Sequence, residues 1–586
     1  MQHPRNALTS ATPTAPSRRQ RWGWFSGTLL LGLCVLGMTG NAVRAQTRND
    51  INLKVGIVRH FGDEVEDELT LKALSGDRLT LQFTGGDGEP QTLRTDEVTL
   101  EIVAKPLPVP LANERVVLST HRSFEAAEHR ANEWKQRGIE VEIAHPDRWQ
   151  VWAKRDVYST PLLRRFLLQS LHNRGYKQAH IETETLKRVP HASWVVDGYR
   201  YHRHQLDITA ESGAIAVVEG DDDSARGRLY GGSLRLQPNS YGTYTLVNNV
   251  PLEVYLRGVV PHEIGGGAPY AAVEAQAIIA RTYALRNLRR FAIDNYQLCD
   301  DTNCQVYKGL NNTVPSADRA IAATRGKILT YNNELIDALY SSTSGGVTAP
   351  FEDIWDGSPR PYLQAAIDST ENVWDLSNNS LAEPTNIRRF LNLKDGFNEE
   401  GWDTFRWRES TSLEAMAEFL KKYLRKSSRV MVEFSKIEKV EVSERSRAGR
   451  VLNMTVYTDG GEIRIDSDEI RNAFYPPIST LFYIDPIYKE VEVESDQSDN
   501  AKSESDETQP QQVLDGYTFV GGGFGHGVGL SQTGAYHLAD LGWSSDRILQ
   551  FYYPGTELQR VSDSIVFWRD PYESGSETSE ATTESP

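Results

Sequence analysis

The hydrophobic pattern changes period several times along the chain. From Ile51 to about Pro108, apolar and polar residues alternate in runs at 53–58, 69–74 and 79–83, separated by Gly-Asp turns, which predicts a small β module over 50–108. A strand-helix-strand unit then occurs twice, at 115–119, 123–137 and 140–144, and again at 149–153, 160–174 and 178–182. Gly138 and Gly175 close the two helices where a left-handed residue is wanted. The region 113–186 therefore reads as a β-α-β-β-α-β sheet with both helices on one face. Residues 252–263 read as an apolar strand ending in a Pro261-His262-Glu263 turn, followed by Ile264 and three glycines. Pro269 opens a helix in which Val273, Ala277, Ala280, Ala284 and Leu288 recur at helical spacing, leaving Gln276, Arg281 and Tyr283 at its flanks. From Trp194 the pattern is that of one large α+β domain, 194–568. It is interrupted by an acidic segment, 490–512, and followed by an acidic tail, 573–586, both of a composition that predicts disorder.

The amino terminus changes the picture of where this chain works. Residues 1–45 carry Arg5, Arg18, Arg19, Arg21 and Arg44 with no acid, an apolar run over 24–38, and Ala42-Val43-Arg44-Ala45 before Gln46. This is the pattern of an export signal with a cleavage site, an uncleaved anchor being the alternative. The run is shorter than the roughly 20 residues that span a bilayer, so no stable membrane span is expected after cleavage. The expected location is extracytoplasmic, in the periplasm or cell wall. A formal charge of −17 with no cluster of Lys or Arg disfavours nucleic acid as a partner. Three cysteines in 586 residues exclude a disulfide-built scaffold, and only Cys299 and Cys304 lie beyond the signal.

Few segments carry chemistry. Glu263 places a carboxylate at the end of a buried element beside a glycine loop. Ser341-Ser342-Thr343-Ser344-Gly345-Gly346 combines hydroxyls with flexible backbone, which taken alone is what an ordinary loop contains. Gly521 to Gly529 satisfies neither GxGxxG nor the P-loop pattern; His526 within it either lines a cleft, orienting substrate or bonding Glu263, or is held by backbone. His262-Glu263 starts a HExxH motif, but Gly266 stands where the second His belongs, which excludes a zincin. Cys299 and Cys304 alone cannot close a tetrahedral zinc site; they are a local disulfide or two thiols, and neither a metal nor a cofactor is expected.

The 113–186 pattern, with Arg115-Val116-Val117, Ser123-Phe124-Glu125-Ala126-Ala127 and Trp149-Gln150-Val151-Trp152, resembles SPOR-type modules, which bind peptidoglycan glycan strands. Trp149 then either stacks on sugars or is a core tryptophan. Val259-Val260-Pro261-His262-Glu263, Glu274-Ala275-Gln276-Ala277-Ile278-Ile279-Ala280-Arg281-Thr282-Tyr283-Ala284, Cys304-Gln305-Val306-Tyr307-Lys308-Gly309, Tyr340-Ser341-Ser342-Thr343-Ser344-Gly345-Gly346 and Gly523-Phe524-Gly525-His526-Gly527-Val528-Gly529-Leu530-Ser531-Gln532 occur in the order of the SpoIID/LytB family, the sporulation protein D and amidase-enhancer relatives. That resemblance implies a lytic transglycosylase with Glu263 as its acid, cleaving peptidoglycan glycan strands to anhydro sugars. One carboxyl suffices because no water is activated, and Glu263 must start protonated, hence partly desolvated. Substrate contacts are expected from Gln276, Arg281, Tyr283, Ser341, Ser342, Thr343, Ser344, Gly345, His526 and Gln532. Ile264-Gly265 replaces the family's usual Met-Pro after the acid. The LytB branch offers a second reading, a non-catalytic peptidoglycan-binding partner that enhances a cell-wall amidase; a third is an adhesive or structural wall protein.

Overall fold

The computed structural model describes residues 51–64, 66–220, 227–426, 433–491 and 511–569. The expected export signal and acidic tail lie outside these residues, as does the acidic segment between 492 and 510. The ends of that last segment are ordered: Glu490 pairs with Gln512 and Val491 with Gln511, so strands Phe482–Val491 and Gln511–Gly521 run further than the acidic composition suggests. Among the described residues no helix is long and apolar enough to cross a membrane.

The fold is α+β, and its two large sheets interleave distant parts of the sequence. Strand Asn52–Phe61 pairs antiparallel with Tyr244–Pro251, and Leu79–Thr84 pairs with Leu206–Ala210, within one seven-stranded sheet. Pairings thus run across the boundary drawn at residue 108, because the alternating 50–108 strands find their hydrogen-bond partners in the 206–251 strands. The second sheet contains Glu68–Ala73, Ala214–Glu219, Val141–Ala144, Trp149–Ala153 and the long strand Glu97–His121. The last pairs with His180–Val196 from Leu100↔Trp194 to Val117↔His180. Helix α1, Phe124–Gln136, and helix α2, Pro161–Asn173, fall between the predicted strands. Ser123 and Thr160 cap their first turns through their side chains, and Gly138 (φ +74°) follows α1 in the left-handed region. Trp149 is 1% exposed and packed against Phe124, His145 and Phe291. It is a core tryptophan whose faces are covered by other rings, not an open platform for sugars.

Residues 252–263 form a helix, α3 (Leu252–Glu263), and not the expected strand. Leu252, Tyr255, Leu256, Val259 and Val260 are buried at i, i+3, i+4, i+7 and i+8, a helical period that outweighs the strand preference of valine. Helix α4, Tyr270–Arg286, is buried all round rather than on one face: Ala272, Ala275, Ile278, Ile279 and Leu285 are all at most 1% exposed. It is the central helix, with α3, α5 (Pro315–Ala323), the helices Gln532–Asp540 and Ser545–Tyr552 and the strand Lys327–Tyr331 packed around it. A separate core forms where Met416, Leu420, Tyr423 and Leu424 of the helix Leu413–Lys426 meet the alternating Ile463 and Ile465 of strand Gly461–Asp466 and their neighbours.

Candidate active site

Glu263 is the last residue of α3, and its position follows from the helix packing just described. Its carboxyl faces a cavity of about 470 Å3 that is also lined by Tyr283, Tyr340, Ser341, Ser342, His526 and Gln532. The backbone N–H of Val306 donates to Glu263 Oε1 at 2.6 Å. Burial raises the Glu263 pKa, opposed by the hydrogen bonds from Val306, the Tyr340 hydroxyl and the Gln532 side chain. The carbonyl end of the α3 dipole, where Glu263 sits, also disfavours a negative charge. The dipole that matters is thus that of α3 and not that of α4. Tyr340 is itself held: Gln305 Nε2 donates to its hydroxyl at 3.1 Å, and Tyr255 donates to Gln305 Oε1 at 3.4 Å. Gln532 Nε2 donates to the Glu263 carbonyl at 3.0 Å and approaches Gln276 Oε1 at 3.4 Å, tying the acid's backbone to α4.

Two other carboxylates line this cavity, and both are neutralised. Glu125 is paired with Arg290. Asp468 is paired with Arg471 and, at 3.2 Å, with Arg122. Burial alone would raise the Asp468 pKa, but the two guanidinium groups hold it down to about 2. Glu263 is the cavity carboxyl with no cation beside it among the described residues.

The expected substrate contacts divide. Tyr283, Ser341, Ser342, His526 and Gln532 line the cavity, and Ser341 Oγ is buried without a partner among the described residues. Arg281 does not reach it: fully buried, it makes bonds of 2.9 and 2.8 Å to Glu253 and donates to the carbonyls of Ala277 and Lys327. Gln276 lies behind Glu263, fully buried, and braces the acid through Gln532. Thr343, Ser344 and Gly345 turn inward. The Thr343 hydroxyl donates to Thr404 at 2.8 Å and Ser344 Oγ to Asp368 at 3.1 Å. The amides of Ser344, Gly345 and Gly346 converge on the buried carboxyl of Glu399, the latter two at 2.8 and 2.9 Å. Gly345 (φ +78°) is needed for packing, since a Cβ there would lie 2.6 Å from the Gly522 carbonyl carbon. His526 does not bond Glu263. Its Nδ1 accepts from the Val528 N–H at 3.0 Å, and burial followed by the nearby Arg471 pushes its pKa down to about 3, so it is a neutral ring against Trp355.

Sequence reasoning passed over Tyr340, Gln305 and Glu399. The first two sit inside the quoted motifs, but no spacing rule marks a tyrosine as a carboxyl donor; Glu399 lies in an unpatterned loop. Cys299 and Cys304 form a disulfide. Among the described residues no group of three or more His, Cys, Asp or Glu side chains is placed to hold a metal ion.

Fold and site together define an α+β protein with one unpaired acid at a helix end, facing a polar trench. Residues 240–331 match the family model described as stage II sporulation protein, and 349–529 match a domain of unknown function, DUF8618. The chain is 27% identical over 366 residues to the amidase enhancer of Bacillus subtilis (strain 168), covering 56% of this chain and 47% of that protein. It is 26% identical over 348 residues to stage II sporulation protein D of the same organism, covering 56% of this chain and 81% of that protein. The corresponding protein of Bacillus amyloliquefaciens is 26% identical over 338 residues, covering 55% and 77%. These matches support the resemblance to the SpoIID/LytB family, and the chain spans about half the length of the amidase enhancer it matches.

Proposed function

We propose that the protein is an exported peptidoglycan lytic transglycosylase with Glu263 as its general acid and base. The carrying observation is that Glu263 is partly desolvated, held above its ordinary pKa and unpaired, in a cavity whose other carboxylates are neutralised by arginine. Protonated Glu263 gives its proton to the glycosidic oxygen as the bond from muramic acid C1 breaks. The carboxylate then takes the proton of the C6 hydroxyl while that oxygen bonds to C1, so an anhydro ring closes and no water is consumed. The Val306 amide and the Tyr340 hydroxyl receive the negative charge between the two transfers. The SPOR-like unit would hold glycan strands near this acid.

The test is mass spectrometry of intact and peptide-stripped sacculi digested with wild type and with Glu263→Gln. Wild type should release anhydro-muropeptides and the variant should not; the same anhydro products from both would end the assignment. A second reading has one observation behind it, the relative named as an amidase enhancer. If Glu263→Gln stimulates a purified cell-wall amidase as well as wild type does, and wild type yields no anhydro products, the protein is a partner of that amidase and not a lyase.

A further inference from the structure

The trench does not end at the cavity of Glu263. A second cavity, of about 750 Å3, shares Arg122, Ser123, Trp355 and Asp468 with the first, so the two are lobes of one groove. One wall of the second lobe belongs to the N-terminal region, with Ser119 on strand Glu97–His121, Ala126 and Arg130 on α1, and Lys177. The opposite wall is Trp355 with its neighbours and residues 466–469, all inside the segment matched by the domain of unknown function.

The chemistry of this lobe is specific. Its cations, Arg122, Arg130, Arg148 and Lys177, face an equal number of acids, Asp356, Asp466, Asp468 and Glu469. Several already pair: Arg148 with Glu469 at 2.6 Å, Arg122 with Asp468 at 3.2 Å and Arg130 with Asp356 at 3.9 Å. A charge-balanced wall does not select by charge; it presents fixed donors and acceptors to a polar chain. Two are left over. Trp355 Nε1 and Glu469 Oε2 are buried and have no partner among the described residues, although both residues line the lobe. An unmade buried hydrogen bond is costly, so such groups mark where a bound molecule supplies the missing partner. Each lobe has the size of a small-ligand site, about 300–1,000 Å3.

Resting on the glycan reading above, we infer that the second lobe is a distal subsite of the same trench, taking further units of a polyhydroxylated, N-acetylated amino-sugar chain whose scissile bond lies at Glu263. The N-terminal β-α-β-β-α-β unit is then a fixed wall of the catalytic groove and not an anchor on a tether. Substrate length, rather than charge, is what this lobe reads.

The experiment uses the full chain carrying Glu263→Gln, which separates binding from cleavage, and N-acetylglucosamine oligomers of increasing length as the probe in titration calorimetry. Affinity should rise from disaccharide to hexasaccharide by roughly tenfold or more, the gain of about one good buried contact. Ala126→Phe fills the second lobe and should collapse that gain. Trp355→Phe, which keeps a ring against His526 but deletes the N–H, should reduce it several-fold; this variant decides the matter if Ala126→Phe fails to fold. Equal affinity for short and long oligomers, or a gain that survives both substitutions, overturns the inference even where wild type releases anhydro products. A length-dependent gain lost in either folded variant upholds it even if the sacculus digestion yields none.

Discussion

Replacing Glu263 by Gln should make the protein more thermostable at alkaline pH while removing its proposed activity. Gln keeps the acceptor for the Val306 N–H, so the perturbation is nearly confined to charge. Burial raises the Glu263 pKa above the ordinary 4.5, which means that the folded protein binds this proton more tightly than the unfolded chain. The stability contributed by the protonated group is fully present below the unfolded pKa and is lost as pH rises through the folded one. Each unit of displacement corresponds to about 1.4 kcal/mol. Gln carries no such penalty, so its advantage should be near zero at pH 4 and grow as pH rises through the folded pKa, to its full value by pH 8. In a chain of this size that is a rise of a few degrees or less in the melting temperature. Differential scanning calorimetry of both proteins across this range, in constant ionic strength, measures it. A variant that melts below wild type at pH 8, or a difference that does not change with pH, would refute the claim that desolvation outweighs the three hydrogen bonds. Loss of the general acid itself should cost about 10²–10⁴-fold in rate.

Three further outcomes follow from neighbouring residues. Tyr340→Phe removes a hydrogen bond that lowers the Glu263 pKa, so the alkaline limb of the pH–rate profile should move to higher pH, which initial rates of anhydro-product release across pH would show. Arg281→Met leaves Glu253 without its buried partner; a loss of about 3–5 kcal/mol in denaturant unfolding is expected, with KM unaltered in whatever fraction folds, whereas a substrate-binding arginine would change KM first. Glu399→Ala strands the amides of Ser344 and Gly345, at about 1–3 kcal/mol each, removes one of two partners from the Gly346 amide and the Ser531 hydroxyl, and should raise hydrogen exchange at 343–346 before the rest of the protein loosens.

The sequence displayed some of this architecture because its signals were local. Gly138 and Gly175 marked the ends of both N-terminal helices, since a left-handed residue acts within a turn of where it lies. The motif order pointed to the family, and Glu263, Tyr283, Ser341, Ser342, His526 and Gln532 from those motifs line one cavity in the structure. What escaped was decided at long range. Strand Asn52–Phe61 looks self-contained until Tyr244–Pro251 appears beside it. The polar side chains of α4 look like surface groups because their partners, Glu253 for Arg281 and Gln532 for Gln276, lie in other elements. The serine-rich turn reads as a row of sugar contacts, yet Glu399 and Asp368 draw its second half into the interior.

The pairing of Asn52–Phe61 with Tyr244–Pro251 bears on how the molecule comes into being. The strand that leads directly into α3, and so into Glu263, cannot complete its edge until Asn52–Phe61, the first strand among the described residues, finds it across everything translated in between. Such non-local closure is slow, so this sheet is completed, and the acid positioned, late in assembly. An acid that ripens only after this sheet has zipped shut carries its own safeguard against acting early.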